Sequence, residues 1–180
     1  MDDVTDVVFR SVIADCAPPD MFFTEFVNVD GLCSRGRANI IHKLSINEDK
    51  DHHIVAQIWG KVPANYRTVA SELAGMGFHG VDINMGCPAK NEVKNGCCSA
   101  LINNRDLARE IILATQEGAG DLPLSVKTRL GWNEIDLSWH EFLLGFKLYM
   151  LTIHMRTRKE MSKVPAHWEI FPQIVALRDK

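Results

Sequence analysis

The sequence predicts an α/β fold, an incomplete (β/α)8 TIM-type barrel of about five parallel strands alternating with helices. Short β-rich runs alternate with amphipathic stretches about five times along the 180 residues. The strand runs are nearly continuous in apolar residues, and helix-length crossovers separate them, which is the pattern of parallel strands covered on both faces. Polar residues recur at the C-terminal ends of successive strand runs, where barrel active sites assemble. The same alternation allows an open doubly wound sheet. No G-x-G-x-x-G follows an early strand, which weighs against the dinucleotide-binding form of that sheet.

The elements read in order as follows. VTDVVFRSVIADC is a helix that Thr5 could cap and that Pro18-Pro19 stops. MFFTEFVN is an aromatic-rich strand, and GRANIIHKL a weak helix. HIVAQIWG is a buried strand ended by Gly60, and PANYRTVASELAGMG a helix with Val69, Leu73 and Met76 on its apolar side. GVDINMG is a strand that runs straight into CPAK. SALINNRDLAREIILATQEGAG is the strongest helical pattern, with Leu107, Ile111 and Ala114 on one face. LSVKTRLG is a strand, 137–146 a helix and YMLTIHMRT a strand. HWEIFPQIVALRD is a last helix with Pro172 near its start.

Composition narrows the function classes. No apolar run reaches the roughly 18–20 residues that span a bilayer, and the acidic start MDDVTDVVFR has no signal-peptide pattern, so a cytoplasmic protein without a membrane partner is expected. A formal net charge of -3 argues against a blanket nucleic-acid binder but allows a local basic surface. Five cysteines cannot all pair internally, and none has a C-x-x-C partner, so neither a disulfide framework nor a zinc or other metal site is expected.

Glu25 and Asn28, Gln57, Asn84, Lys127 and Arg129, and His154 and Arg156 sit near the ends of five different strand runs. A central apolar strand has little reason to carry Gln, Lys or His unless they converge on a ligand. In NMGCPAKNEVKNG, Gly86 lets the chain turn and Pro88 fixes its direction, which holds Cys87 on a loop. A cysteine there can be a nucleophile, a redox thiol, a proton donor or a half-buried structural thiol. Lys127 can form a Schiff base or steady an anion. His154 and Arg156, two apart on a strand, face one side. Gln57 offers a donor and an acceptor suited to the edge of an imide ring. Lys90, Lys94, Arg156, Arg158, Lys159 and Lys163 fall on loops after strands, either as a solvated charged face or as a phosphate-tracking rim. Residues alone point to a site for a planar, anionic, carbonyl-bearing cofactor or substrate and do not name the reaction.

These strings resemble the dihydrouridine synthase family. MDDVTDVVFR is similar to the segment after that family's first strand, and TEF, QIWG, DINMGCPAK, VKTRLGW and IHMRTRKEMSKVPAHW match in order and spacing. The resemblance implies an FMN-dependent barrel that reduces the uracil C5=C6 bond in tRNA, with NADPH as reductant. It implies that Cys87 protonates C5 and that Gln57, Lys127 and His154 contact the flavin, with the backbone of Met1 against the isoalloxazine. Asn84 and Arg156 would hold the uracil edge. Lys90 and Lys94 would join the basic rim along the tRNA backbone, the target base leaving its stack to reach the flavin.

Some residues depart from the family pattern. Met155 stands where the family has Gly or Ala, and should point away from His154 and Arg156 into packing. Cys97 and Cys98 stand where small residues are usual and read as packing. Residues 1–180 are expected to be a partial FMN-binding barrel domain, lacking the first strand, the last two strands and the C-terminal helical tRNA-binding domain. Such a barrel has unpaired strand edges, which a homodimer could cover. Two other readings stay open: a small-molecule flavin oxidoreductase of the dihydroorotate or dihydropyrimidine type, and a non-catalytic barrel fragment that folds by association.

Overall fold

A computed structural model of the chain describes residues 4–47, 50 and 53–178; Met1 lies outside the described residues. The chain forms two compact units, Met1–Ile83 with Glu110–Leu124, and Asn84–Arg109 with Ser125–Lys180.

The first unit begins with α1 (Val7–Cys16). Its cap is Asp6 rather than Thr5, the carboxylate accepting the Phe9 N–H at 2.7 Å. The run MFFTEFVN is not one strand. It breaks into β1 (Phe22–Phe23) and β2 (Val27–Asn28), both parallel to β3 (Ile54–Trp59). Phe23 pairs with Val55 and Val27 with Ile58, so the outer chain takes four steps while β3 takes three. The surplus residue bends the chain as a bulge does. Thr24 covers the break: its N–H donates to the Val55 carbonyl at 3.0 Å, and its Oγ1 accepts the Gln57 N–H at 3.0 Å. Asn28 then caps α2 (Val29–Leu32) through the Gly31 N–H.

GRANIIHKL forms two separate 3-10 turns, Arg37–Asn39 and Ile41–Leu44, instead of an α-helix; adjacent β-branched isoleucines favour helix poorly. Five of the six residues of β3 are buried, as expected of a strand covered on both faces. α3 (Pro63–Gly75) starts on Pro63, where a missing N–H leaves no helical bond unmade, and buries Tyr66, Val69, Ala70 and Leu73 on one face. β4 (Gly80–Asn84) lies parallel to β3 and is buried throughout. Gly118 packs against α3 so closely that a Cβ there would stand 2.1 Å from the Arg67 carbonyl oxygen.

In the second unit, a short α4 (Lys90–Lys94) follows the β4 loop. The strong helical pattern does not start at Ser99: a 3-10 turn, Cys98–Asn103, comes first, and α5 (Arg105–Ala119) begins after Asn104, whose side chain accepts the Leu107 N–H. β5 (Leu124–Arg129) is followed by α6 (Leu137–Leu144), capped by Asp136 and ending two residues earlier than its sequence pattern. β6 (Met150–His154) pairs parallel with β5 from Ser125↔Met150 to Arg129↔His154. A 3-10 turn, Trp168–Ile170, leads into α7 (Phe171–Arg178), with Pro172 in its first turn. Leu130, Met155 and Ile174 form a buried cluster with Leu137, Ile153, Ala166 and Ile170 against it. Met155 therefore points into packing, as strand alternation requires.

The strands run in the order β1-β3-β4-β5-β6, with β2 also on β3. Counting the broken first strand once, five strand positions alternate with helices, which is an incomplete (β/α) barrel. Among the described residues no helix is long and apolar enough to cross a membrane.

Candidate active site at the ends of β4, β5 and β6

The loop that leaves β4 is shaped by its own first residue. The Asn84 Oδ1 accepts the N–H groups of Gly86 and Cys87, each at 3.0 Å, an Asx turn that bends the chain at once. β5 holds the same stretch from the side. The Met85 N–H donates to the Lys127 carbonyl at 2.7 Å, and the Thr128 hydroxyl donates to the Met85 carbonyl at 3.3 Å. Gly86 is needed for this approach, since a Cβ would sit 3.3 Å from the Thr128 backbone. The loop then returns: the Cys97 N–H donates to the Glu92 carbonyl, and the Ser99 N–H to the Cys87 carbonyl at 3.2 Å. Cys87 is thus half-buried on a braced loop.

Its surroundings favour the thiolate. A hydrogen bond from the Cys98 thiol is the largest influence and lowers the Cys87 pKa to about 6, aided by the Ala89 N–H and Arg129 and opposed by burial and Glu92. Pro88 has no N–H, so Ala89 supplies the first backbone donor after Cys87. The Cys98 thiol is pushed up, first by the same hydrogen bond and then by burial.

Arg129, only 7% exposed, ties three segments together. Its Nε donates to the Gly86 carbonyl at 2.6 Å, and its Nη1 to the carbonyls of Thr157 at 3.2 Å and Met161 at 2.8 Å. The same Nη1 lies 3.4 Å from the His154 Nδ1. A guanidinium has only donors, so Nδ1 is the acceptor and a neutral His154 carries its proton on Nε2. Burial, then Arg129, Lys127 and Arg156, lower the His154 pKa to about 4, so the ring is neutral near pH 7. The Arg156 Nε donates to the Val164 carbonyl at 2.5 Å. Lys127, half-buried, precedes Arg129 by two residues and shares its side of β5.

One compact unit therefore contains Asn84, Cys87, Lys127, His154 and Arg156. Lys90 and Lys94 are exposed on α4. Arg158 stacks over Trp132 at 4.5 Å. Gln57 belongs to the other unit, where its Nε2 donates to the Asp82 Oδ2 at 2.7 Å. Sequence reasoning placed Arg129 at a strand end without giving it a task, and read Cys98 as packing. The parity of Lys127 and Arg129 was the available signal for the first; nothing in the spacing of Cys98 pointed to Cys87.

The family model described as dihydrouridine synthase (Dus) matches residues 1–179. A protein of Staphylococcus aureus (strain Mu50 / ATCC 700699) named probable tRNA-dihydrouridine synthase is 50% identical over 183 aligned residues, covering 100% of this chain and 55% of its own length. Probable tRNA-dihydrouridine synthase 2 of Bacillus subtilis (strain 168) is 48% identical, and a Staphylococcus epidermidis relative 47%, with the same coverage. The chain thus spans about half the length of the curated relatives it matches. With a braced cysteine loop, a neutral histidine and a flanking lysine at the matched strings, the chain belongs to the dihydrouridine synthase family.

Proposed function

We propose that residues 1–180 form the flavin-binding catalytic part of a tRNA-dihydrouridine synthase, which reduces the uracil C5=C6 bond in tRNA with FMN as cofactor and NADPH as reductant. The observation that carries this reading is Cys87 held on its loop in the unit that also presents the Nε2–H donor of a neutral His154 and the cations Lys127 and Arg156. Such a donor set fits the electron-rich carbonyl edge and negative charge of a flavin mononucleotide.

The chemistry that FMN would supply when bound and reduced is hydride donation to C6 of the uracil. Cys87 in its thiol form delivers the proton from sulfur to C5, and the surroundings that lower its pKa to about 6 stabilise the thiolate which that transfer leaves. His154 would hold the flavin ring through its Nε2–H, and Lys127 would steady the flavin's negative charge. The family resemblance also assigns flavin binding to Gln57 and Met1. Asn84 shapes the loop through Oδ1, so donation to a uracil carbonyl would come from its Nδ2, with Arg156 as the second uracil contact. Lys90 and Lys94 track tRNA phosphates, and the reaction takes place in the cytoplasm. The tRNA in this reading rests on the names of the relatives.

The test is a fluorescence titration of FMN with the purified chain. Saturable quenching at micromolar protein, weakened about tenfold or more by Lys127→Ala, is expected. A folded chain that leaves FMN fluorescence unchanged overturns the flavin assignment for these residues.

A further inference from the structure

The loop that follows β6 is closed at its ends and braced across its middle. The His167 N–H donates to the Met155 carbonyl at 2.8 Å, which brings the far end of the loop back to the residue after His154. Between them, Thr157 and Glu160 form a reciprocal capping box: the Glu160 Oε2 accepts the Thr157 N–H at 2.8 Å, and the Thr157 Oγ1 accepts the Glu160 N–H at 3.3 Å. Such a box normally opens a helix, yet here the chain leaves after a single turn, with Met161 at φ 57°, a left-handed conformation uncommon outside glycine. The carbonyls of Thr157 and Met161, at the two ends of that turn, are those that Arg129 holds. The other oxygen of Glu160 takes His167. Its Oε1 lies 2.9 Å from the His167 Nε2, both side chains being half-buried, and the His167 Nδ1 lies 3.3 Å from the Glu169 Oε1. A neutral imidazole has one N–H and would turn a lone pair on one of these carboxylates; only the imidazolium donates to both.

We propose that Glu160 and His167 are positioning residues: their ion pair clasps the capped turn to the end of β6 and, through the Thr157 and Met161 carbonyls, sets where Arg129 lies against His154. This rests on the reading in which His154 holds a bound flavin and deepens it, because the placing of that donor then depends on pH. Among the described residues, the charged groups acting on His167 are Glu160 of the loop and Glu169 of the turn Trp168–Ile170. The hydrogen bond to Glu160 raises the His167 pKa most, burial opposes it, and Glu169 adds to the rise. The stability that a raised histidine pKa contributes is complete below its unfolded value near 6.5 and is lost as pH rises through the folded value. The clasp therefore loosens on the alkaline side, where His154 is neutral throughout.

The experiment is a nitrogen-15 NMR titration of the histidine side chains in the whole chain, from about pH 5.5 to about pH 9. In the parent chain the His167 midpoint should lie above the ordinary value near 6.5. The His154 nitrogens do not titrate in this range, so an inflection in their shifts at the His167 midpoint reports the movement of Arg129. Glu160→Gln keeps an acceptor for the Thr157 N–H and removes the charge. It should lower the His167 midpoint and carry the His154 inflection down with it. Glu169→Gln should lower the midpoint less. A parent midpoint at or below the ordinary value overturns the proposal. So does a His154 signal that stays flat while His167 titrates, or a midpoint that Glu160→Gln leaves in place. The first two of these outcomes are read in the parent chain, so they decide the matter even if the variant does not fold. The titration is made without FMN: a chain that fails to bind flavin leaves the clasp standing, and a flavin-binding chain without the inflection removes the clasp alone.

Discussion

β4 and β6 both end in a side chain with chemistry to perform, yet the two ends are held in different ways. β4 has a strand neighbour on each side in the sheet order, and every one of its residues is buried. Its terminal Asn84 and the following loop are fixed by direct hydrogen bonds. β6 is last in that order, and all five of its residues are half-exposed. Near it, Tyr149 and Trp168 are 71% and 68% exposed. Cys87 owes its state to the surroundings within its own loop, whereas His154 owes its state first to burial and then to the cations on β5 and the turn after β6. The Arg129 side chain serves both ends, and Lys127 accepts the Met85 N–H at one while its charge acts on His154 at the other.

The largest effect should therefore come from Arg129→Ala, which leaves the carbonyls of Gly86, Thr157 and Met161 without this donor in a buried place. A loss of about 3 kcal/mol or more is expected in urea denaturation, with Arg129→Lys intermediate because one ammonium cannot reproduce the fork. A loss below about 1 kcal/mol would mean that the two ends are held independently.

A medium effect concerns pH. The folded pKa of His154, about 4, lies below its ordinary value near 6.5, so between those values the unfolded chain binds more protons. This contribution to stability is complete above pH 6.5 and declines as pH falls through 4. Nitrogen-15 NMR should show His154 neutral, with the proton on Nε2, down to about pH 5. A midpoint near 6.5 would remove the electrostatic account of the β6 end.

The smallest effect is expected from Trp168→Ala. At such an exposed position the change in thermal stability should stay within about 0.5 kcal/mol. A larger loss, growing with protein concentration, would mean that a second copy covers this edge.

The alternation of helices and parallel strands was legible because buried strands read as apolar runs and helices as periodic ones. The break at Thr24 was not, because the run MFFTEFVN is apolar apart from Thr24, Glu25 and Asn28, and a surplus residue appears only in the register with β3. The delayed start of α5 was hidden for a related reason: SALINN carries helical periodicity, but Asn104 makes a better cap than a helix interior. In the site, Cys87 was visible from its Gly and Pro neighbours. Cys98 was not, since sequence shows neither that a loop of α4 and two turns folds back on itself nor that its residue takes a positive φ.

Arg129 also sets a timetable. Its bond to Gly86 joins residues 43 apart, and its bond to Met161 joins residues 32 apart in the other direction. Contacts of such separation form late, after the loop entropy of the intervening chain has been overcome. The cysteine loop can thus be completed only after β5 has been made and has docked, and Arg129 itself is fully held only when the segment beyond β6 follows.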